Sequence, residues 1–326
     1  MAIKKEKKLI RVLVMMFTSF TALGVIALYI IKNESSFRKI LTVSFSNVSV
    51  FIVLQLALQI INSVVLLIYF KSFSKKISFF DSFGLNIITT FFNNIFVKGG
   101  PLVKGYFLKK IHGLSYSNFI FTVASFMLVE LMAAGFLGIA IVWYVWLTRA
   151  YFNIGVFVFF AGVIALSMFI AGFPFSKFFK NEHNWVQRKL LHLSFSWQEI
   201  NRNKPVMAQL LVLSFLSFFI FALRLQYGFT ILGYSIDFVD CLLISIVGIL
   251  SNFFAITPAG LGIREFMVGG AYKLMKGDMV HAVVVCVLDR VISVIAVFIL
   301  GVIFIFYFLH KSRSVDAASS TRVCSK

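Results

Sequence analysis

The chain has 326 residues, of which 60% are apolar, 41 are Phe and only 13% are charged. A soluble domain carries about 25% charge, so a water-soluble enzyme or binding module is excluded, and no room is left for a large soluble domain. The 31 Lys and Arg outnumber 12 acids, for a net charge of +19. With no nucleic-acid motif in view, that excess reads as basic loops at the cytoplasmic face of a membrane protein and beside anionic lipid headgroups, not as a nucleic-acid partner.

The N-terminus, MAIKKEKKLIRVLVMM, has the look of a signal peptide. However, the apolar run from Leu9 to Ile31 is too long for such a segment and no small-residue cleavage site follows. It is expected to be a retained first span, 10–31. A second span is predicted over 49–70. The next segment, 80–111, is interrupted: FFNNIFVKGGPLVKGYFLKK places Gly99, Gly100 and Pro101 in its middle. Full spans follow at 118–147 and 152–174. Residues 175–205 mix Lys and Arg with Trp185, Leu190, Leu191, Phe195 and Trp197. That pattern suits a basic amphipathic helix in the cytoplasmic interface, or equally a loop helix packed on the protein. A span at 206–232 leads into a second interrupted segment, 238–275, where NFFAITPAGLGIRE carries Pro258, Gly260 and Gly262. The last span is 279–309, and the polar stretch 310–326 is predicted to be a disordered cytoplasmic tail.

Each half of the two interrupted segments is short for a hydrocarbon core of ~30 Å at 1.5 Å per residue. Loop charge tests how they cross. If the N-terminus is cytoplasmic and both segments enter and leave on one side, the cytoplasmic stretches hold 22 of the 31 Lys and Arg. If each crossed once, the basic loop 175–205 would lie outside, against the positive-inside rule. The expected fold is therefore an all-α polytopic membrane protein with six full spans and two re-entrant half-helix hairpins, arranged as two inverted-topology repeats. The first repeat covers 1–174, with 152–174 already beginning the second, and 206–309 completes it; both termini are cytoplasmic. Spacing supports the repeat: Asp81, Asn93 and Glu130 each precede Asp240, Asn252 and Asp289 by 159 residues, and Lys104 precedes Arg264 by 160. Interrupted segments in corresponding halves point to a transporter binding site.

Charges lie where lipid cannot solvate them: Lys98, Lys104, Arg224, Arg264 and Arg290, with Glu130, Glu265 and Asp289. Each costs ~2.5–3.5 kcal/mol at a helix centre, so they must face inward, pair, or line a wet cavity. One reading is structural ion pairing, such as Glu265 with Arg290, or Arg264 neutralising its neighbour Glu265. The other uses the surplus of bases beside helix breaks, whose bare N–H groups favour an anion. Together with Asn252, these residues form the candidate substrate-binding set, and Gly99, Gly100, Pro101, Pro258, Gly260 and Gly262 the helix-break set. Cys241, Cys286 and Cys324 show no paired motif. His183 and His192 are nine apart without metal-ligand spacing, so no metal and no cofactor is expected.

At TPAGLGIRE, followed by Asp289-Arg290, the sequence resembles the lysylphosphatidylglycerol synthase transmembrane, flippase-like family. Pro258, Gly260, Leu261, Gly262 and Glu265 match its second-half motif, with Ala259 where the motif has Gly. The first-half motif fits loosely at Asn93 or Asn94, Gly100, Lys104, Tyr106 and Leu108, with Phe96, Pro101 and Lys104 departing from its Pro, Glu and Arg. Glu130 fits the acid usual in the next span. The resemblance implies a membrane lipid as substrate, moved across the bilayer without the soluble aminoacyltransferase that some relatives carry. No GxxxxGK[ST] motif is present. The expectation is a non-enzymatic flippase or transporter for an anionic or zwitterionic lipid, a phospholipid or a polyprenyl-phosphate-linked one, passing through a positively biased cavity between the two hairpins. An integral-membrane transferase on a lipid-linked substrate and a small-solute secondary transporter remain as alternatives. A bacterial inner membrane is the expected location, and association into a homo-oligomer is left open.

Overall fold

The computed structural model describes residues 24, 28–72, 75–97, 99–172, 203–254 and 257–324. The predicted first span, 10–31, falls outside them except for 24 and 28–31, as do Lys98 and nearly all of the loop 175–205. The described residues are helical, with no strand among them. In chain order the helices are α1 (Glu34–Arg38), α2 (Phe45–Ser72), α3 (Phe79–Ile95), α4 (Gly99–His112), α5 (Tyr116–Arg149), α6 (Ile154–Gly172), α7 (Lys204–Ile231), α8 (Phe238–Leu250), α9 (Ile263–Leu274) and α10 (Met279–Cys324).

Four helices are long and apolar enough to cross a membrane: Phe45–Lys71, Asn118–Arg149, Lys204–Ile231 and Met279–Val315. They correspond to the predicted spans 49–70, 118–147, 206–232 and 279–309. The predicted span 152–174 is the helix α6, whose apolar stretch, Ile154–Ile170, is shorter than these four. α10 departs from expectation at its end. It runs to Cys324, where a disordered tail was expected from 310. The polar residues there include no Pro and no Gly, so nothing in that stretch forces the helix to stop.

Both interrupted segments are pairs of short helices. α3 has 17 residues and α4 has 14; α8 has 13 and α9 has 12. At 1.5 Å per residue these are about 18–26 Å long, less than a ~30 Å hydrocarbon core. Asp81 and Asp240 both sit in the first turn of the leading helix. The two breaks are closed differently. At the first, the Gly100 N–H donates to Asn93 Oδ1 at 3.0 Å. The tip is so tight that a Cβ on Gly100 would stand 2.1 Å from the Thr89 carbonyl oxygen. At the second, Pro258 opens a 3-10 turn, Pro258–Gly260, and Gly262 turns the chain into α9 at φ +83°.

The described residues divide into two compact units, each discontinuous in sequence. The first lies within Met1–Leu56, Thr89–Pro101 and Ile220–Ile299; the second lies within Ala57–Ile88, Leu102–Phe219 and Leu300–Lys326. Small residues allow close helix packing in each, as membrane interfaces require. In the first unit, a Cβ on Gly228 of α7 would meet Val285 of α10 at 2.6 Å. In the second, α5 and α6 form a packed pair. Asn153 caps the start of α6 by accepting from the Gly155 and Val156 N–H groups at 3.0 and 3.2 Å. Gly138 leaves its space to Phe160, whose ring a Cβ there would meet at 2.3 Å.

Candidate functional site

The first unit gathers five of the predicted site residues. Arg264 and Glu265 open α9, Asp289 and Arg290 lie together on α10, and Arg224 lies on α7. Neighbours on a helix point about 100° apart, so two adjacent charges must find different partners. The pairing is crossed between the helices. Arg264 Nη2 donates to Asp289 Oδ2 at 2.5 Å, and Arg290 Nε lies 3.0 Å from Glu265 Oε1. Asp289 is shared, because its Oδ1 also lies 2.5 Å from Arg224 Nη2. Arg264 therefore does not neutralise its neighbour Glu265; Arg290 does, as the ion-pair reading of Glu265 anticipated.

Glu265 and Arg290 also hold the break. The other oxygen of Glu265 accepts from the Gly262 N–H at 2.9 Å, an N3 side chain reaching back to the helix cap. Arg290 Nη2 donates to the Ala259 carbonyl at 3.0 Å. Ala259 has φ +50°, a left-handed conformation that costs an L-residue roughly 1–2 kcal/mol. This is the position where the resembled motif carries Gly, and the conformation explains why Gly suits it. Thr257 Oγ1 donates to the Leu261 carbonyl at 2.8 Å, closing the other side of the turn.

Three guanidinium groups face two carboxylates, leaving one positive charge in excess. Burial separates their roles. The Arg224 and Asp289 side chains are 3% and 0% exposed, and Arg224 is further held by Gln55 on α2 and by Ser293 Oγ at 2.5 Å. Arg264 and Arg290 remain 19% and 11% exposed. Arg264 also lies over the Phe221 ring, 4.6 Å from its centroid. Arg224 Nε, Arg264 Nε and Arg290 Nη1 are buried and have no hydrogen-bond partner among the described residues. Buried donors left unpaired are costly.

The remaining predicted residues are not part of this cluster. Asn252 lies in the 3-10 turn Ser251–Phe254 of the same unit and is exposed. Lys104 and Glu130 belong to the second unit. Lys104 Nζ donates to Asn86 Oδ1 at 2.5 Å, and Asn86 Nδ2 donates to Ser63 Oγ at 3.2 Å, a polar chain across α4, α3 and α2. A network not anticipated as such surrounds Asp81, which is 2% exposed. Lys311 Nζ contacts both its oxygens, at 2.7 and 2.6 Å, Tyr307 donates at 2.9 Å, and His112 Nε2 lies 3.6 Å away. The sequence signal was the i,i+4 spacing of Tyr307 and Lys311 on one face of α10. Gln55 and Ser293 gave no such signal.

The family model described as the lysylphosphatidylglycerol synthase TM region matches residues 9–301. The chain belongs to that family. Comparison with curated proteins and with solved structures gives no match. In this member of the lysylphosphatidylglycerol synthase TM family, the break and the charged pairs that follow it form one connected structure.

Proposed function

We propose that this family member moves a lipid with an anionic or zwitterionic headgroup across the bilayer, without chemically converting it. The observation that carries the reading is the single excess positive charge of the buried arginine cluster, placed on the more accessible Arg264 and Arg290 beside a helix break. The family description names lysylphosphatidylglycerol, a lipid whose phosphate oxygens accept hydrogen bonds that guanidinium groups donate. The two short-helix pairs are re-entrant in this reading, the first opening to the cytoplasm and the second to the outside, within inverted repeats. The membrane is the bacterial cytoplasmic one and both termini face the cytoplasm. In a background lacking native cysteines, Lys180→Cys and Lys276→Cys are then expected to label from opposite sides. Labelling from the same side would remove the inverted repeat.

The charge arithmetic supplies the functional test. Arg264→Gln leaves two arginines and two carboxylates in matched pairs, so the fold should persist while the surplus cation disappears. In proteoliposomes carrying fluorescent phosphatidylglycerol, translocation should fall roughly 10–100-fold, the equivalent of one charge-assisted hydrogen bond of ~1.5–3 kcal/mol. Thermal stability should stay near wild type. Undiminished translocation by the well-folded variant would show that the headgroup does not use this cation.

A further inference from the structure

The acids inside the helices are not alike. Asp81, Glu265 and Asp289 each have a cation within 3.0 Å. Glu130 makes no ion pair and no hydrogen bond among the described residues. It sits near the middle of α5, fourteen residues after Tyr116, about 21 Å along the helix. Its side chain is half-buried, and the preceding Leu128 and Val129, which point to other sides of α5, belong to a buried apolar cluster with Val65, Tyr69 and Leu210. Tyr69 of α2, in that cluster, is 5% exposed. Its hydroxyl is buried and has no hydrogen-bond partner. α6, packed on α5, carries no charged side chain between Ile154 and Gly172. The residues that α7 adds to the cluster, such as Val206, Met207 and Leu211, are apolar.

A carboxylate without a counter-cation is the disfavoured state in such surroundings, and the neutral acid is the favoured one. We propose that Glu130 is a proton-binding site, protonated at rest and ionised when water reaches it, and that this exchange drives the lipid movement proposed above. The coupling rests on that function; the proton site does not. The balance is simple: the carboxylate takes one proton from one aqueous phase and returns it to water, with no other bond changed. This supplies an energy source to a chain in which no nucleotide-binding motif was found.

Infrared difference spectra of the full-length protein in lipid nanodiscs at pH 7 test the site directly. Wild type should show a carboxylic C=O band that Glu130→Gln lacks, that Glu130→Asp retains at a shifted frequency, and that disappears as pH is raised. Glu130→Gln should keep the wild-type Tm, because Gln copies the neutral acid. If the wild-type and Gln spectra are the same in that region, Glu130 is ionised and the proposal fails. In proteoliposomes, an imposed proton gradient should alter the wild-type rate for fluorescent phosphatidylglycerol, and Glu130→Gln should lose the gradient-driven component. A wild-type rate indifferent to the gradient overturns the coupling. A wild type that moves no lipid overturns the transport function, while the infrared band still decides the fate of the proton site.

Discussion

Asp289→Asn is expected to be the most damaging single change in the arginine cluster. Asp289 is fully buried and faces both Arg224 and Arg264 at 2.5 Å, so its neutralisation strands two cations at once. Breaking a buried pair by removing one partner typically costs ~3–5 kcal/mol, and here the removed partner serves two pairs. The thermal midpoint in detergent should drop accordingly. Asp289→Asn combined with Arg264→Gln restores the original excess of one positive charge and should recover part of the loss. A single Asn variant as stable as wild type would mean that the carboxylate is not the counter-charge of the cluster.

The second large effect is expected at the tip between α3 and α4. A Cβ on Gly100 would stand 2.1 Å from the Thr89 carbonyl oxygen and 2.8 Å from Asn93 Oδ1, which accepts the Gly100 N–H. The nearest obstacle is backbone and cannot swing away. Gly100→Ala must therefore open the tip, at a cost of roughly 1–3 kcal/mol for overpacking, and weaken the Asn93 bond. Gly270 is the matched control, because nothing lies within 4 Å of a Cβ placed there. Thermal unfolding of Gly100→Ala and Gly270→Ala should separate them clearly. Equal midpoints would contradict the tight tip.

These residues also show what the sequence disclosed. The four long apolar helices were legible because a membrane segment announces itself by hydropathy and length alone. The second break was legible because Pro and Gly have restricted uses, and Pro258, Gly260 and Gly262 do open the turn. Glu265 with Arg290 was among the pairs anticipated, but the partner of Arg264 was not. Which way two adjacent side chains point depends on how α9 rotates against α10, and no spacing in one helix records that. Gln55 and Ser293 were missed because a lone polar residue in an apolar helix is common. Lys311 was read with a tail, so its grip on Asp81 could not be seen. The helix that continues to Cys324 defeated a reading based on polarity, which favours solvent exposure without forbidding helix.

The shared carboxylate also bears on how the chain is made. Arg224 is synthesised 65 residues before Asp289, roughly 3–13 s earlier at ~5–20 residues per second. α7 must therefore enter the bilayer with an arginine whose counter-ion does not yet exist. Its composition allows this. Fifteen of its residues are Leu, Ile, Val or Phe, each contributing about −0.3 to −0.6 kcal/mol to insertion at a helix centre. Together they outweigh the ~2.5–3.5 kcal/mol of one arginine. Insertion and charge pairing are thus separate events in time, and the cluster forms only when α10 arrives among helices already in the membrane.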